Sequence, residues 1–363
     1  MDCYIPYVRE FIILVAAHLS ILRADSQPPS TDQQWQQVQS CLRAYDDLFT
    51  QHELVIEYER KKQPLPGHEK FINAAISSTE TRTGVPFAHA PYDAAFYSEN
   101  TTNVLKISGP SFWMETSNAT TTTYDCTDGL LHLEFLATYE RATLSNHRLF
   151  EAPLPIDYIT KLPEVGNGGD HPDQWSRFET AIADLLSKNP DAIYRVDPDK
   201  IAILRKGDGN AKVSSYVTFL YTLNPSPRIS RIEFGRADAS VNPPLLLAPN
   251  FTEEFSDFIA LDSIHAFPKS IVTTESQPIL PSNFQPTNAN SLDPATYPLT
   301  KVMQTSYTIK SIYVKDRDKN DFTITMPLGT FVYDELAGKS YRVGDGVKIN
   351  ANELKQIVNQ SGN

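Results

Sequence analysis

The chain has 363 residues, with 32 Lys and Arg against 44 Asp and Glu and a formal net charge of −12. Hydrophobic residues make up 40% of it, which is enough for a packed core and excludes a wholly disordered chain. The excess of acid excludes a protein that mainly coats nucleic acid, because such proteins need a basic surface. The length predicts roughly two to three folding units.

The first hydrophobic segment, Phe11 to Leu22, allows two interpretations. A secretory signal peptide begins with a positive region, but Asp2, Arg9 and Glu10 leave this one net negative. Its apolar residues instead recur at alternating intervals of three and four, a heptad pattern typical of an amphipathic helix. These residues are Ile5, Val8, Ile12, Val15, Leu19 and Leu22. We expect a retained helix, with a cleaved signal peptide as the alternative.

A second heptad pattern follows, and Ser30 with Gln33 predicts a capping box where its helix begins. The apolar residues of this helix are Trp35, Val38, Leu42, Tyr45 and Phe49. Ile56 continues the register, so the helix is predicted to extend toward Pro64. Two such helices predict an antiparallel helical hairpin within residues 1–84, with the two apolar seams facing each other.

From about Val85 the hydrophobic period changes to two, which predicts strands. Residues 85–267 are therefore predicted to form an α+β main domain with a mixed or antiparallel sheet. The acidic stretch from Glu253 to Asp262 is interpreted as the solvated face of a helix rather than as a cation site.

Two further units are predicted after the main domain. Residues 268–305 are rich in Pro, Ser and Asn and lack periodicity, which is typical of a linker. Residues 306–363 contain short apolar runs separated by glycines, which predict a small β-meander or barrel with a terminal helix. The predicted fold class is thus α+β: a helical hairpin, a β-rich middle and an appended β-module.

No motif identifies a catalytic, cofactor-binding or metal-binding residue. His52 and Glu53 begin as in a zinc-protease helix, but Ile56 stands where the second histidine is needed. The run 316–320 has the acidic spacing of a calcium loop, but Pro327 stands where the bidentate glutamate belongs. Three cysteines are too few for a disulfide framework. The sequence therefore leans against an enzyme and predicts no cofactor.

The leading hypothesis is a structural or assembly subunit of a larger particle, most concretely a virion component. Its interaction residues would be the two heptad sets above, and its partners other protein subunits, without nucleic acid or a membrane span. The location would be intracellular or in a virion. The alternative is a secreted glycoprotein or hydrolase, favoured by four glycosylation sequons if the N-terminal segment is cleaved.

Overall fold

The computed structural model describes residues 30–86, 90–108, 111–127, 132–145, 192–205, 213–224, 226–238, 240–262, 265–279, 298–315, 323–335, 338–344 and 348–350. The helices of this part of the chain are α1 (Thr31–Gln51) and α2 (Gly67–Thr83). Its strands are β1 (Glu53–Pro64), β2 (Glu99–Ser108), β3 (Ser111–Ser117), β4 (Thr122–Thr127), β5 (His132–Leu136), β6 (Arg141–Ser145), β7 (Ile193–Asp197), β8 (Lys200–Arg205), β9 (Val213–Thr222), β10 (Arg228–Asp238), β11 (Leu245–Ala260), β12 (Ala266–Pro278), β13 (Leu299–Lys315), β14 (Thr323–Thr325), β15 (Phe331–Asp334), β16 (Lys339–Arg342) and β17 (Lys348–Asn350).

Fifteen of these strands form one open sheet, in the order β16-β15-β6-β5-β4-β3-β2-β1-β13-β12-β11-β10-β9-β8-β7. Neighbouring strands are antiparallel, except for the parallel pair β6 and β15. β14 and β17 form a separate two-stranded sheet. The order places β1 between two meanders, so that one strand joins the halves of the sheet.

The predicted helical hairpin is wrong. Its first helix lies outside the described residues, and the second ends at Gln51 instead of extending toward Pro64. Residues 53–64 form β1, which pairs with β13 on one side and β2 on the other. Leu54, Ile56 and Tyr58 are buried and alternate with the less buried Val55 and Glu57, as expected for a strand with one buried face.

The predicted small C-terminal barrel is also wrong. β13 lies in the middle of the large sheet, between β1 and β12, and β15 extends its far edge by pairing with β6. Part of the predicted linker, residues 268–278, belongs to β12. The predicted terminal helix lies outside the described residues. The division of the chain into four units at residues 84, 267 and 305 stays a prediction.

The acidic stretch that was interpreted as a helix face is part of β11. This strand pairs with β10 and with β12, so its successive side chains point to opposite faces of the sheet. Glu253 is buried on one face, and Glu254 is exposed on the other. Two neighbouring acids that looked equivalent in the sequence therefore lie in different surroundings.

The capping box predicted for α1 is confirmed. The backbone N–H of Gln33 donates to Ser30 Oγ over 3.2 Å, and the backbone N–H of Ser30 donates to Gln33 Oε1 over 2.8 Å. These bonds satisfy donors that have no partner within the helix. The helix begins at the predicted residue for the predicted reason.

The large sheet buries opposite faces in its two halves. We call the side that contacts α1 the first face; it includes Leu54 of β1 and Leu105 of β2. Register carries the first face from Leu105 to Met114 of β3, whereas Trp113, Cys126 and Leu133 lie in register on the second face. There they join a smaller core with Ile324, Met326 and Val332.

A candidate ligand-binding face beneath α1

Helix α1 crosses the first face of the sheet. Near its start, Gln34 contacts the turn between β7 and β8, and at its end the chain continues directly into β1. A flat sheet would place β11 to β13 closest to the middle of such a helix. The nearest strands are instead β7 to β10 on one side and β1 and β2 on the other. The sheet is therefore concave toward α1, with β11 to β13 at the bottom of the trough.

Large apolar side chains fill the space between α1 and the sheet. The helix contributes Trp35, Val38, Cys41, Leu42 and Leu48. The sheet contributes Leu54, Ile56, Tyr58, Leu105, Ile107, Ile201, Ile203, Val217, Phe219, Tyr221, Ile229, Ile232, Phe255, Phe267, Ile271, Tyr307 and Ile309. The apolar surface of the trough thus belongs mostly to the sheet, and one helix covers it.

Polar side chains attach the first turns of α1 to the sheet. Gln34 Nε2 donates to the carbonyl oxygens of Asp197 and Pro198 over 3.0 Å and 2.6 Å. The Tyr221 hydroxyl donates to Gln37 Oε1 over 2.7 Å. Gln34 is fully buried, and among the described residues its Oε1 atom has no hydrogen-bond partner. A buried acceptor without a partner costs about 1–3 kcal/mol, which subtracts from the stability that the buried Trp35 and Val38 give to this end of the helix.

Three of the heptad residues predicted for α1 lie in this interface. Trp35, Val38 and Leu42 are buried against the sheet of the same chain. The side chains of Tyr45 and Phe49 lie outside the described set, as does the whole predicted first helix, including Ile5, Val8, Ile12, Val15, Leu19 and Leu22. A role for these residues in contacts between subunits stays a prediction.

Cys41 lies on the buried side of α1 and is a free thiol. Burial raises the pKa of this thiol to about 12, although hydrogen bonds to Ser40 and to backbone groups oppose the rise. A thiol with such a pKa stays protonated at neutral pH and is a poor nucleophile or metal ligand. Cys41 therefore acts as a small apolar residue in this site.

A band of polar side chains crosses the bottom of the trough on the first face. Glu253 of β11 is opposite Thr273 of β12, which is opposite Thr305 of β13. We call these three residues the polar row. They are only 0%, 4% and 6% exposed, respectively. The sequence pattern did not predict this row, because Glu253 lies in a segment with the pattern of a helix and Thr273 in one with the composition of a linker.

The polar row directly follows apolar side chains. Two residues further along their strands lie Phe255, Ile271 and Tyr307, which are in register with one another. At the β1 end of the same face, Arg60 forms an ion pair of 3.0 Å with Glu99 of β2. The polar row thus lies between this apolar row and a mixed row of Phe251, Glu275 and Met303 on the same face.

The second face of the same strands carries a network of ions instead of an apolar core. Glu233 accepts hydrogen bonds from Lys200 Nζ over 2.8 Å and from the Thr218 hydroxyl over 2.9 Å, and pairs with Arg231 over 2.8 Å. Burial by itself raises the pKa of Glu233, but these hydrogen bonds and the charges of Lys200 and Arg231 outweigh it and hold the pKa below its usual value. Glu233 is therefore a structural carboxylate.

In the part of the chain that the structure describes, no group of three or more His, Cys, Asp or Glu side chains is placed to hold a metal ion. Within the same residues, neither helix has the length and apolar character needed to cross a membrane. The chemistry that the described site offers is thus apolar contact next to hydrogen-bonding groups.

The chain is distantly similar to several solved structures, among them the two that follow. No family model and no curated protein sequence matches the chain. A putative outer membrane lipoprotein-sorting protein domain from Vibrio parahaemolyticus is 10% identical with a TM-score of 0.33, over 78% of this chain and 94% of that one. A DUF1329 family protein from Desulfovibrio piger is 8% identical with a TM-score of 0.32, over 77% and 92%. At these TM-scores the similarity assigns no function to this chain.

The predicted role as a structural subunit of a virion or another particle is wrong. The prediction depended on a helical hairpin with a spare apolar face and on an appended β-module, and the described residues form neither of them. The apolar stripe of α1 is covered by the sheet of its own chain. The predicted virion location depended on this role and is wrong with it, and the alternative of a secreted location stays a prediction.

Proposed function

We propose that this chain binds a lipid-like amphiphile, whose apolar chain lies in the trough between α1 and the first face of the sheet. The observation that carries the proposal is a concave apolar sheet face that a single, partly polar-anchored helix covers. The support comes from this geometry and not from the two distant structural matches.

The dimensions show how little of the trough a helix can cover. The apolar lining extends from β8 to β2, eight strands in the sheet order, which corresponds to roughly 34 Å at about 4.8 Å between strands. With 21 residues, α1 is roughly 31 Å long and about 10 Å wide. The lining residues that α1 does not cover are buried by packing against one another. Their side chains can rearrange around an acyl chain.

The attachment of α1 suits a helix that a ligand displaces. Its first turns depend on the hydrogen bonds of Gln34 and Gln37, each worth about 0.5–1.5 kcal/mol. An acyl chain that replaces helix contacts gains about 0.8 kcal/mol for each methylene it buries. A few methylenes therefore offset the loss of these hydrogen bonds, and the remaining methylenes must replace the apolar contacts of Trp35, Val38 and Leu42.

The experiment is a chain-length series. The full chain is loaded with a dansylated fatty acid, which is then displaced by monoacylglycerols of roughly 8 to 14 carbons, below their critical micelle concentrations. We expect the affinity to rise roughly tenfold for every two methylenes until the trough is filled. An affinity that does not depend on chain length would show that no acyl chain is buried, and the proposal would be wrong.

A pair of variants on α1 tests the displacement. Gln37→Ala removes the hydrogen bond from Tyr221, so we expect the free energy of unfolding to fall by about 1 kcal/mol and the affinity for monoacylglycerol to rise by about fivefold. Gln36→Ala, on the exposed side of the same helix, is the control and changes neither. A lower affinity in Gln37→Ala would contradict the idea that the ligand displaces α1.

A further inference from the structure

We infer that the second half of the sheet carries a surface that binds an anionic lipid bilayer. This surface consists of the exposed side chains Tyr139, Leu328, Phe331 and Tyr333, which we call the apolar patch. The inference does not depend on a ligand in the trough, because the patch lies at β6 and β15, whereas α1 covers the other half of the sheet.

The patch exposes aromatic residues where a strand normally presents polar ones. Along β15, Val332 is buried, whereas Phe331 and Tyr333 are 39% and 44% exposed. In a sheet with one packed face, the open face usually holds polar side chains. Tyr139 and Leu328 are still more exposed, at 62% and 65%. A group of exposed apolar side chains of this kind marks a surface that contacts a protein or a membrane.

The backbone brings the four side chains to neighbouring positions. The backbone N–H of Phe331 donates to the carbonyl oxygen of Glu140 over 3.0 Å, which places the start of β15 next to the turn that holds Tyr139. Leu328 lies in the turn directly before β15, and Tyr333 lies two positions after Phe331 on the same face. The patch is therefore one continuous surface.

Two cations lie beside the aromatic residues. Phe331 is in register with Arg141 of β6 on one side and with Arg342 of β16 on the other, and both arginines are exposed. Arg342 Nη1 donates to the carbonyl oxygen of Gly329 over 2.8 Å, which orients the side chain without neutralising its charge. Within the described part of the chain, neither arginine forms an ion pair. Basic residues next to Tyr and Phe suit the anionic headgroups and the interface of a bilayer.

The acidic character of the chain as a whole does not prevent this contact. The net charge is −12, but at about 0.15 M salt the Debye length is about 8 Å, so charges on the rest of the molecule are screened. Glu140 and Glu335, next to the patch along the chain, are exposed and are screened as well. The two arginines would touch the headgroups directly, and each basic residue near an anionic surface strengthens binding.

The size of the patch favours a bilayer over a second copy of the chain. β6, β15 and β16 are in register along β15, which gives roughly 200 Å² of sheet face at about 4.8 Å between strands and about 3.4 Å per residue. A stable protein interface buries about 800 Å² on each partner. A bilayer requires neither this area nor a matching shape, because a few apolar side chains and basic contacts together give binding.

The test is sedimentation of the full chain with extruded vesicles. The vesicles contain either phosphatidylcholine alone or phosphatidylcholine with roughly one third phosphatidylglycerol, and we expect about tenfold stronger partitioning to the second kind. Absence of binding to both kinds overturns the inference, and so does equal binding. Displacement of the dansylated fatty acid by monoacylglycerol is a separate measurement, so failure here leaves the proposed function standing.

A matched pair of double variants locates the contact. Phe331→Ser with Tyr333→Ser removes the aromatic residues of β15, and we expect vesicle binding to fall by about tenfold. The control, Tyr313→Ser with Val314→Ser, replaces side chains that are 54% and 43% exposed at the end of β13 and should leave binding unchanged. An equal loss in both double variants overturns the inference.

A third double variant decides the question if the first does not fold. Arg141→Gln with Arg342→Gln changes only exposed side chains, and we expect the preference for phosphatidylglycerol to fall by about tenfold. An unchanged preference overturns the inference. Sedimentation velocity checks the other occupant: a dimer of the unaltered chain that this variant dissociates would show that a second copy covers the patch, which also overturns the inference.

Discussion

The two halves of the large sheet are built alike but are buried on opposite sides. In the half from β7 to β1, the first face is packed under α1 and the second face carries ions such as Glu233. In the half from β3 to β16, the second face is packed under β14 and the first face holds exposed side chains such as Phe331 and Tyr333. The comparison teaches that one sheet can serve as the wall of two separate cores.

Sheet twist gives a physical reason for the exchange of faces. Neighbouring strands rotate by roughly 20° each, so the two ends of a sheet of fifteen strands face very different directions. One covering layer cannot follow the same face along its whole width. The exchange takes place at β2 and β3, where Met114 contacts the Tyr58 hydroxyl on the first face and Trp113 lies under Lys106 on the second.

The largest expected effect tests whether the two cores are separate. Leu42 in the first core and Leu133 in the second are 0% and 1% exposed. Replacing either by alanine should lower the free energy of unfolding by about 2–5 kcal/mol, because a cavity is left behind. The double variant, measured by urea unfolding, should lose the sum of the two within about 0.5 kcal/mol. A deviation above about 1 kcal/mol would mean that the two cores are coupled.

A smaller effect is expected from the ions on the second face. Glu233→Gln removes a charged acceptor from Lys200 and Thr218, which should cost about 1.5–3 kcal/mol at pH 7. The control is Glu254→Gln, whose ion pair with Arg231 is exposed and should contribute less than about 1 kcal/mol.

The same variant should change the response to acid. The pKa of Glu233 is lowered in the folded chain from its ordinary 4.5, so its contribution is complete above pH 4.5. Below that pH the unfolded chain takes up the proton first, and the contribution is lost as the pH falls through the folded pKa. Urea unfolding at pH 6 and below pH 4 should therefore show a smaller acid-induced loss in Glu233→Gln. An equal loss would assign the acid sensitivity to other groups.

The smallest effect compares two glycines, one in each half. A Cβ on Gly235 would lie 2.6 Å from the Tyr216 ring, and the hydrogen bond from the Tyr216 hydroxyl to the Leu247 carbonyl keeps that ring in place. Gly235→Ala should therefore cost about 1–2 kcal/mol. A Cβ on Gly344 meets no described heavy atom within 4 Å, so Gly344→Ala should stay within about 0.5 kcal/mol. Equal melting temperatures for the two variants would contradict this difference in packing.

Local signals in the sequence predicted local structure well. The capping box at Ser30 depends on neighbours within a few positions, and α1 begins where it was expected. The end of α1 was missed because Ile56 satisfies both a heptad and a period of two. The alternation of Leu54, Ile56 and Tyr58 is the signal that could have identified β1. It decides in favour of a strand only once the pairing of β1 with β2 and β13 is known.

The candidate site depends on distant parts of the chain and could not be predicted in the same way. Glu253, Thr273 and Thr305 come together only because β11, β12 and β13 pair in one register. In the sequence, the first looked like a solvated acid and the second like part of a linker. A one-residue shift of register would turn either side chain to the opposite face.

The central position of β1 also determines how the chain can fold. Tyr58 pairs with Ile309, about 250 positions later, so a ribosome has made most of the chain before β1 acquires its second neighbour. Closing so long a loop costs entropy before any contact is gained, and non-local pairing of this kind slows folding. Until β13 arrives, β1 has an open edge and α1 lacks much of its trough. The newly made N-terminal part is therefore the segment most exposed to misassembly, and a chaperone would protect it for longest.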